Sequence, residues 1–289
     1  MKPAICGSTK LYGIIADPIE HVRATALFNA YFEQHSLDAV FVPFHVHPEG
    51  AAAALGGFRR MVNLHGVIVT IPHKAAFVYL VDEVLPTAQL AGATNVIRPE
   101  PDGRWIGTNL DGMGFVNGLT DRIFPPMGRS FLVVGCGGAG SAIAATLIQS
   151  GITRLAIAEL QRERAERLAA RLSAAMPDVP VSVFGANPDP AGYDVVVNAT
   201  PLGMREDDPL PFDPARLSSG TVVAEVVQAP PVTRLLREAA ARGLRTLQGG
   251  NMLDYQFMEM ARFFRIVQRS AGFGATARVT GLLQGDHAR

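Results

Sequence analysis

Phe131-Leu132-Val133-Val134-Gly135-Cys136-Gly137-Gly138-Ala139-Gly140 joins an unbroken apolar run to a glycine-studded turn. The apolar run predicts a strand buried on both faces of a sheet. Residues 141–150, rich in Ala, Ile and Leu, predict a helix directly behind the turn. Strand, G-x-G-x-x-G and helix, in that order, form the dinucleotide-binding fingerprint. Its first glycine permits a tight turn, its second lets the backbone approach a pyrophosphate, and its third brings helix and strand together. The ligand's negative charge then meets unpaired N–H groups at the helix N-terminus. Gly135, Gly137, Gly138, Ala139 and Gly140 are therefore the candidate cofactor loop. A second strand, Arg154-Leu155-Ala156-Ile157-Ala158, follows at βαβ spacing and ends at Glu159, where a ribose-binding carboxylate belongs.

In front of the loop, strands and helices alternate. Tyr12-Gly13-Ile14-Ile15-Ala16 predicts a strand stopping at Asp17-Pro18, and residues 24–35 a helix with Leu27, Phe28, Tyr31 and Phe32 at helical spacing. Val40-Phe41-Val42-Pro43-Phe44 predicts a second strand and residues 48–60 a helix. Val67-Ile68-Val69-Thr70-Ile71 predicts a third strand, closed by Pro72-His73-Lys74. Behind the loop, residues 161–176 predict a helix with a solvated charged face, and residues 194–198 and 220–227 further parallel strands. Residues 252–267 predict a helix whose Phe257, Met260, Phe263 and Phe264 need an apolar partner, assigned here to the front domain. The alternation implies an α/β fold with parallel pairs. The expected domains are residues 1–112, a dinucleotide-binding domain over 113–248, and C-terminal helices over 249–289 that return to the first.

The 289 residues are 48% hydrophobic and 18% charged, which allows an ample core and excludes a disordered chain. Zero net charge gives no electrostatic case for nucleic acid or an anionic membrane. Residues 1–11 hold no apolar signal core, and no stretch reaches membrane-spanning length. The expectation is a cytoplasmic protein, monomer or homodimer, acting on a small molecule. Cys6 and Cys136 are too few for a disulfide framework or a zinc site. His45, His47 and His65 have no acidic residue at metal-ligand spacing, so they read as pocket or surface histidines, and no metal is expected. Trp105 reads as packing.

A nicotinamide nucleotide needs a group that moves an alcohol proton while hydride moves to or from carbon. Lys74 is the leading candidate, because it follows a buried strand and emerges at the carboxyl end of the sheet, where open α/β sheets bind ligands. Partial desolvation there eases proton loss. Asp111, in Gly107-Thr108-Asn109-Leu110-Asp111-Gly112, is the candidate partner that steadies the ammonium and accepts a hydrogen bond from substrate. Spacing alone does not carry this pair, since a lysine after a strand is ordinarily a surface charge and such an aspartate a turn or cap.

Across most of its length the chain resembles the shikimate dehydrogenase family. The matching stretches are Asp17-Pro18-Ile19-Glu20-His21, Val69-Thr70-Ile71-Pro72-His73-Lys74, Ala91-Gly92-Ala93-Thr94-Asn95 and Asn109-Leu110-Asp111-Gly112. The glycine loop, Asn198-Ala199-Thr200-Pro201-Leu202-Gly203-Met204 and Gly249-Gly250-Asn251-Met252-Leu253 also match. The resemblance implies an N-terminal α/β substrate domain, a central Rossmann NAD(P)-binding domain and C-terminal helices returning to the first. It implies that Lys74 and Asp111 are catalytic and that Thr70, Asn95, Asp111 and Gln256 contact substrate hydroxyls. Asn198, Thr200 and Gly249 fall at cofactor positions, and Met204 either borders the nicotinamide or packs in the core. The implied activity is reversible NAD(P)-dependent hydride transfer to or from a ring carbon of shikimate, quinate or a related cyclic hydroxy acid.

The departures matter as much. After His21 the family has Ser-x-Ser-Pro, whose hydroxyls hold the substrate carboxylate; here the run is Val22-Arg23-Ala24-Thr25. Ile68 and Leu110 replace an asparagine and a threonine, and Glu225 and Gln228 replace the residues of an Asp-x-x-Tyr stretch. Arg23 or Thr25 is the expected substitute at the carboxylate, with Gln228 at the substrate. A shifted substrate preference follows. The alternatives are a non-catalytic ligand-binding regulator and a dehydrogenase for an amino-substituted or decarboxylated analogue. NADP-using members tend to carry Asn-Arg-Thr after the second Rossmann strand, where this chain has Glu159-Leu160-Gln161. A carboxylate accepts from a free ribose diol and repels a phosphate, so NAD is expected. Arg164, which matches a second phosphate-binding arginine, keeps NADP possible.

Overall fold

Two six-stranded sheets organise the chain in a computed structural model that describes residues 5–20 and 22–267. Contacts divide it into two units. Among the described residues, the first comprises those up to Gln89, Ala93–Asn109 and 257–267; the second comprises Leu90–Gly92 and Leu110–Gln256. The divisions fall before Leu110 and inside the last described helix, against expected boundaries at 112 and 248.

Up to Thr108 the elements are β1 (Lys10–Ala16), α1 (Ala24–Gln34), β2 (Ala39–His45), α2 (Ala51–Phe58), β3 (Leu64–Val69), α3 (Lys74–Leu80), β4 (Glu83–Val84), α4 (Pro86–Ala91), β5 (Val96–Pro99) and β6 (Trp105–Thr108). The sheet runs β2-β1-β3-β5-β6-β4. β1 pairs in parallel with β2 and β3, as the alternation predicts, while β5 is antiparallel to both β3 and β6. The β5–β6 hairpin turns at Pro101-Asp102-Gly103, where the Gly103 N–H donates to Glu100 O at 2.9 Å. One face of this sheet packs Ile15, Val67, Val69, Ile97 and Trp105 against Leu55, Phe58 and Phe77. Aromatic rings gather elsewhere in this unit, with Phe28 4.5 Å from Phe257 and Tyr12 5.6 Å from Phe264 between centroids. The apolar stripe of the C-terminal helix thus finds its partners within this unit, each buried ring contributing about 1.5–3 kcal/mol relative to exposure.

From Asp111 onward the order is α5 (Asp111–Arg122), β7 (Ser130–Val134), α6 (Gly138–Ile148), β8 (Arg154–Ala158), α7 (Arg162–Ala175), β9 (Val181–Phe184), β10 (Val195–Asn198), β11 (Val222–Glu225), α8 (Arg234–Ala241), β12 (Arg245–Leu247) and α9 (Gly249–Phe263). The strands lie β12-β11-β10-β7-β8-β9, every pairing parallel. Central β7 is buried along its whole length, as its unbroken apolar run requires. α7 buries Ala165, Leu168 and Leu172 at helical spacing and turns its charges outward, pairing Arg162 with Glu166 at 2.8 Å. Such a pair adds only about 0.3–0.5 kcal/mol, so the buried stripe holds the helix. Among the described residues, no helix is long and apolar enough to cross a membrane.

Candidate active site

The glycine loop leaves β7 at the carboxyl edge of the parallel sheet. Gly135 has φ +95°, and a Cβ there would lie 2.8 Å from Thr200 Cγ2. Both the backbone angle and the close neighbour demand glycine. A Cβ on Gly140 would lie 2.0 Å from the Gly135 carbonyl oxygen, which fixes how closely α6 approaches the turn. At Gly137 nothing lies within 4 Å of the Cβ position. That open space above the loop suits an approaching pyrophosphate. Gly140→Ala is expected to cost about 1–3 kcal/mol through overpacking, read as a lower Tm together with weaker nucleotide binding. An unchanged Tm would show that the turn accommodates a methyl group at residue 140 without strain.

Glu159 follows directly on β8 and reaches back to the loop. Its Oε2 accepts from the Cys136 N–H at 2.9 Å and its Oε1 from the Gln161 N–H at 3.3 Å. Burial pushes this carboxyl up, but those two N–H groups, the Cys136 side chain and the Arg164 cation outweigh it and hold the carboxyl below its ordinary range. The carboxylate is therefore ionised beside the loop. Arg164 is exposed on the first turn of α7, and Arg162 is engaged with Glu166. Cys136 is buried, and desolvation with the Glu159 charge pushes its thiol up to about 12, which leaves it a neutral filler.

Asn198 and Glu225 end neighbouring strands in register. Asn198 is fully buried; its Nδ2 donates to Leu202 O at 2.9 Å, while its Oδ1 accepts from the Thr200 N–H and hydroxyl at 3.1 and 2.6 Å. These bonds set the 199–204 loop. Met204, at its end, is 57% exposed, so core packing is not its role. A Cβ on Gly249 would lie 2.2 Å from Val227 O, so this glycine lets α9 start hard against the β11 loop. Gln228 is half-buried in that loop.

Glu225 stands out beyond its mark in the sequence as a replaced family position. Its side chain is buried, Oε2 accepts from the Thr233 hydroxyl at 2.9 Å, and Oε1 has no hydrogen-bond partner. Burial pushes its carboxyl up from 4.5 to about 7, only partly offset by Thr233 and Asn198. Between those two values the folded protein keeps a proton that the unfolded chain has lost. Stability therefore falls as pH rises across this window and stays lower above it. Glu225→Gln is expected to be more stable than the parent by up to about 3 kcal/mol at about pH 8, with the difference closing by about pH 4.5. Thermal melts at both pH values check this, and an equal offset at both would contradict it.

In the first unit, the carboxyl edge of β1 and β3 gathers three predicted site residues. β3 ends at Val69, two residues before the predicted end, because the chain turns at Thr70, whose carbonyl accepts from the His73 N–H at 2.8 Å. Ile71 is consequently 69% exposed. The Thr70 N–H donates to Ile15 O at 3.1 Å, and the Val69 N–H to Asn95 O at 2.7 Å. Half-buried Lys74 opens α3, with its carbonyl accepting from the Thr94 N–H at 2.8 Å. Thr70, Lys74 and buried Asn95 are thus brought together. His73 is buried and its Nε2 bonds Val46 O at 2.8 Å, a structural anchor. Arg23 is exposed at the start of α1, and the Oγ1 of half-buried Thr25 is buried without a hydrogen-bond partner.

The histidines require a correction. Asp17 lies between two of them, its Oδ1 2.9 Å from His45 Nε2 and its Oδ2 3.0 Å from His47 Nδ1. The acidic neighbour that spacing did not reveal comes from the parallel pairing of β1 with β2, which sets Ala16 opposite His45. Hydrogen bonds from His47 and then His45 hold the Asp17 carboxyl below its usual range, and Asp17 raises His47 in return. His65 stands apart, 6.0 Å from the Tyr12 ring.

In the second unit, Asp111 opens α5 and is buried, accepting a hydrogen bond from Gln256 Nε2 of α9, itself buried. An acid in the first turn also suits the helix dipole. Two residues implied at the substrate are therefore directly bonded.

Residues 14–97 match the family model of the shikimate dehydrogenase substrate binding domain. The shikimate dehydrogenase (NADP(+)) of Rubrobacter xylanophilus is 38% identical over 272 residues, covering 93% of this chain and 95% of that protein. Shikimate 5-dehydrogenase from Listeria monocytogenes, solved with shikimate and NAD, matches with a TM-score of 0.88 at 27% identity over 98% of this chain and 99% of its own. The ligand-free 5-ketofructose reductase of Gluconobacter sp. strain CHM43 matches with a TM-score of 0.82 at 29% identity over 96% and 97%. With a relative 38% identical along nearly the whole length of both proteins, the chain belongs to the shikimate dehydrogenase family.

Proposed function

We propose that this enzyme is an NAD-preferring dehydrogenase for a cyclic hydroxy acid whose carboxylate end is held differently from that of shikimate. Bound nicotinamide supplies the hydride acceptor or donor. Lys74, as the neutral amine, takes the hydroxyl proton while the ring carbon loses hydride, and returns it from the ammonium in the reverse direction. Asp111, itself held by Gln256, orients substrate. The observation that carries this reading is the convergence of Thr70, Lys74 and Asn95 at one sheet edge. Retention of both Lys74 and Asp111 speaks against a non-catalytic regulator, and NAD reduction with any hydroxy acid would separate the two.

The ionised Glu159 beside the glycine loop supports NAD, although the Rubrobacter relative is named for NADP(+). At the other end of the substrate, the unpartnered Oγ1 of Thr25 supports that residue, with exposed Arg23 close in the chain, as the replacement for the missing serine hydroxyls. A buried carboxylate left without partners costs on the order of several kcal/mol, so the rebuilt end decides specificity. A neutral polyhydroxy ketone is the second reading, favoured by the similarity to an enzyme whose named substrate is a ketose. Steady-state assays of shikimate, quinate and related cyclitols with NAD and NADP, and of a neutral polyhydroxy ketone with the reduced cofactors, test both. A cyclic substrate other than shikimate should show the highest kcat/KM, whereas shikimate turnover typical of the family would show that the substitutions are silent.

A further inference from the structure

The Asp17, His45 and His47 cluster has no part in the hydride-transfer chemistry and asks for its own explanation. Asp17 is the first residue after β1, His45 ends β2, and His47 follows one residue on. One ring nitrogen from each of His45 and His47 and one Asp17 carboxylate oxygen all lie within 4.8 Å of one another. Four-coordinate zinc, with bonds of about 2.0–2.1 Å, sets its ligand atoms about 3.4 Å apart. The inward movement needed is small and falls on the two imidazoles, which are 44% and 70% exposed and not locked by packing.

The backbone carrying these groups, by contrast, is fixed. The Asp17 N–H donates to Ile71 O at 3.1 Å, and the Val46 N–H to Ala16 O at 3.2 Å. Buried His73 grips the Val46 carbonyl between the two histidines at 2.8 Å, while Val46 packs into the apolar cluster beneath. Successive residues of an extended segment point to opposite faces, so anchoring Val46 inward leaves His45 and His47 to project together on the other side. The result is a pair of neutral-capable nitrogen donors and one carboxylate on a rigid base, with solvent on the open side. Two imidazoles and a carboxylate form the donor set of divalent first-row metals from iron to zinc, too nitrogen-rich for magnesium or calcium.

We propose that Asp17, His45 and His47 bind one divalent transition-metal ion of the zinc class, leaving at least one coordination position open to water or an oxygen ligand. The site lies on the same sheet edge as Lys74, joined to it through His73 and the turn before α3. It is independent of the proton-transfer role given to Lys74.

The test titrates the chelator-treated full-length protein with Co(II), followed by visible absorption, and with Zn(II), followed by calorimetry. The expected result is saturable binding of one ion per chain, with Co(II) bands of a four- or five-coordinate site that Zn(II) abolishes. His45→Ala and His47→Ala should each weaken binding by about tenfold or more, equivalent to about 1.4 kcal/mol. His65→Ala should leave it unchanged. Far-UV circular dichroism and metal-free melts establish that the variants are folded, as expected for such exposed positions. Absence of saturable binding, or equal affinity in the folded His45→Ala and His47→Ala proteins, would overturn the site. Because no turnover is measured, failure of the dehydrogenase reading would leave this result standing, and the reverse.

Discussion

Lys74→Ala is expected to lower kcat by about 10²–10⁴-fold while leaving the dissociation constant for NADH nearly unchanged. This is the usual worth of a positioned general acid–base group. The side chain opens α3 at the carboxyl edge of β3, and the cofactor loop belongs to other elements, so its removal should spare nucleotide binding. Lys74→Arg should be about as inactive, because a guanidinium keeps its proton at any working pH and cannot shuttle it. That second variant separates proton transfer from mere charge. Steady-state kinetics with NADH fluorescence titration give both quantities, and an Arg variant with parental kcat would reduce Lys74 to an electrostatic anchor.

The next-largest effect concerns the cofactor. The Glu159 carboxylate is fixed by the Cys136 N–H at 2.9 Å and held ionised. Opposed to a phosphate charge at about 4 Å, it would repel by on the order of 4 kcal/mol at an intermediate dielectric. Screening at a half-buried position reduces this, and the expected preference for NAD over NADP is about 10²-fold in kcat/KM. Glu159→Gln should erase most of the preference, mainly by improving NADP. Arg164, already placed near the carboxylate, is then free to meet the 2′-phosphate. A parent enzyme that favours NADP would show that Arg164 and the loop outweigh the carboxylate.

The Rossmann half of the fold was legible because its signals are local. An unbroken apolar run, a glycine turn and a helix read in one direction, and β8 occupies the predicted residues without change. The first sheet was legible only in its parallel part. Its β5–β6 hairpin is short, so periodicity is weak there, and the turn residues Pro101-Asp102-Gly103 were the available signal. β3 was read two residues too long because Thr70 and Ile71 have strand-forming side chains, whereas the turn that presents Lys74 overrides that preference. Lys74 and Asp111 became candidates through motif positions, since nothing in a lone lysine or aspartate declares chemistry. Asp17, 28 and 30 residues from its histidine partners, could not emerge from spacing. The buried carboxyl of Glu225 also depends on neighbours that only the folded sheet supplies.

The proposed catalysis depends on the Lys74 amine exchanging a proton with the carbinol that loses hydride. A crystal structure of the full chain with NAD and its turned-over hydroxy acid tests it most directly. Lys74 Nζ is expected about 2.6–3.2 Å from the reacting hydroxyl oxygen. A complex in which that oxygen bonds another group, with Nζ turned to bulk solvent, would contradict it.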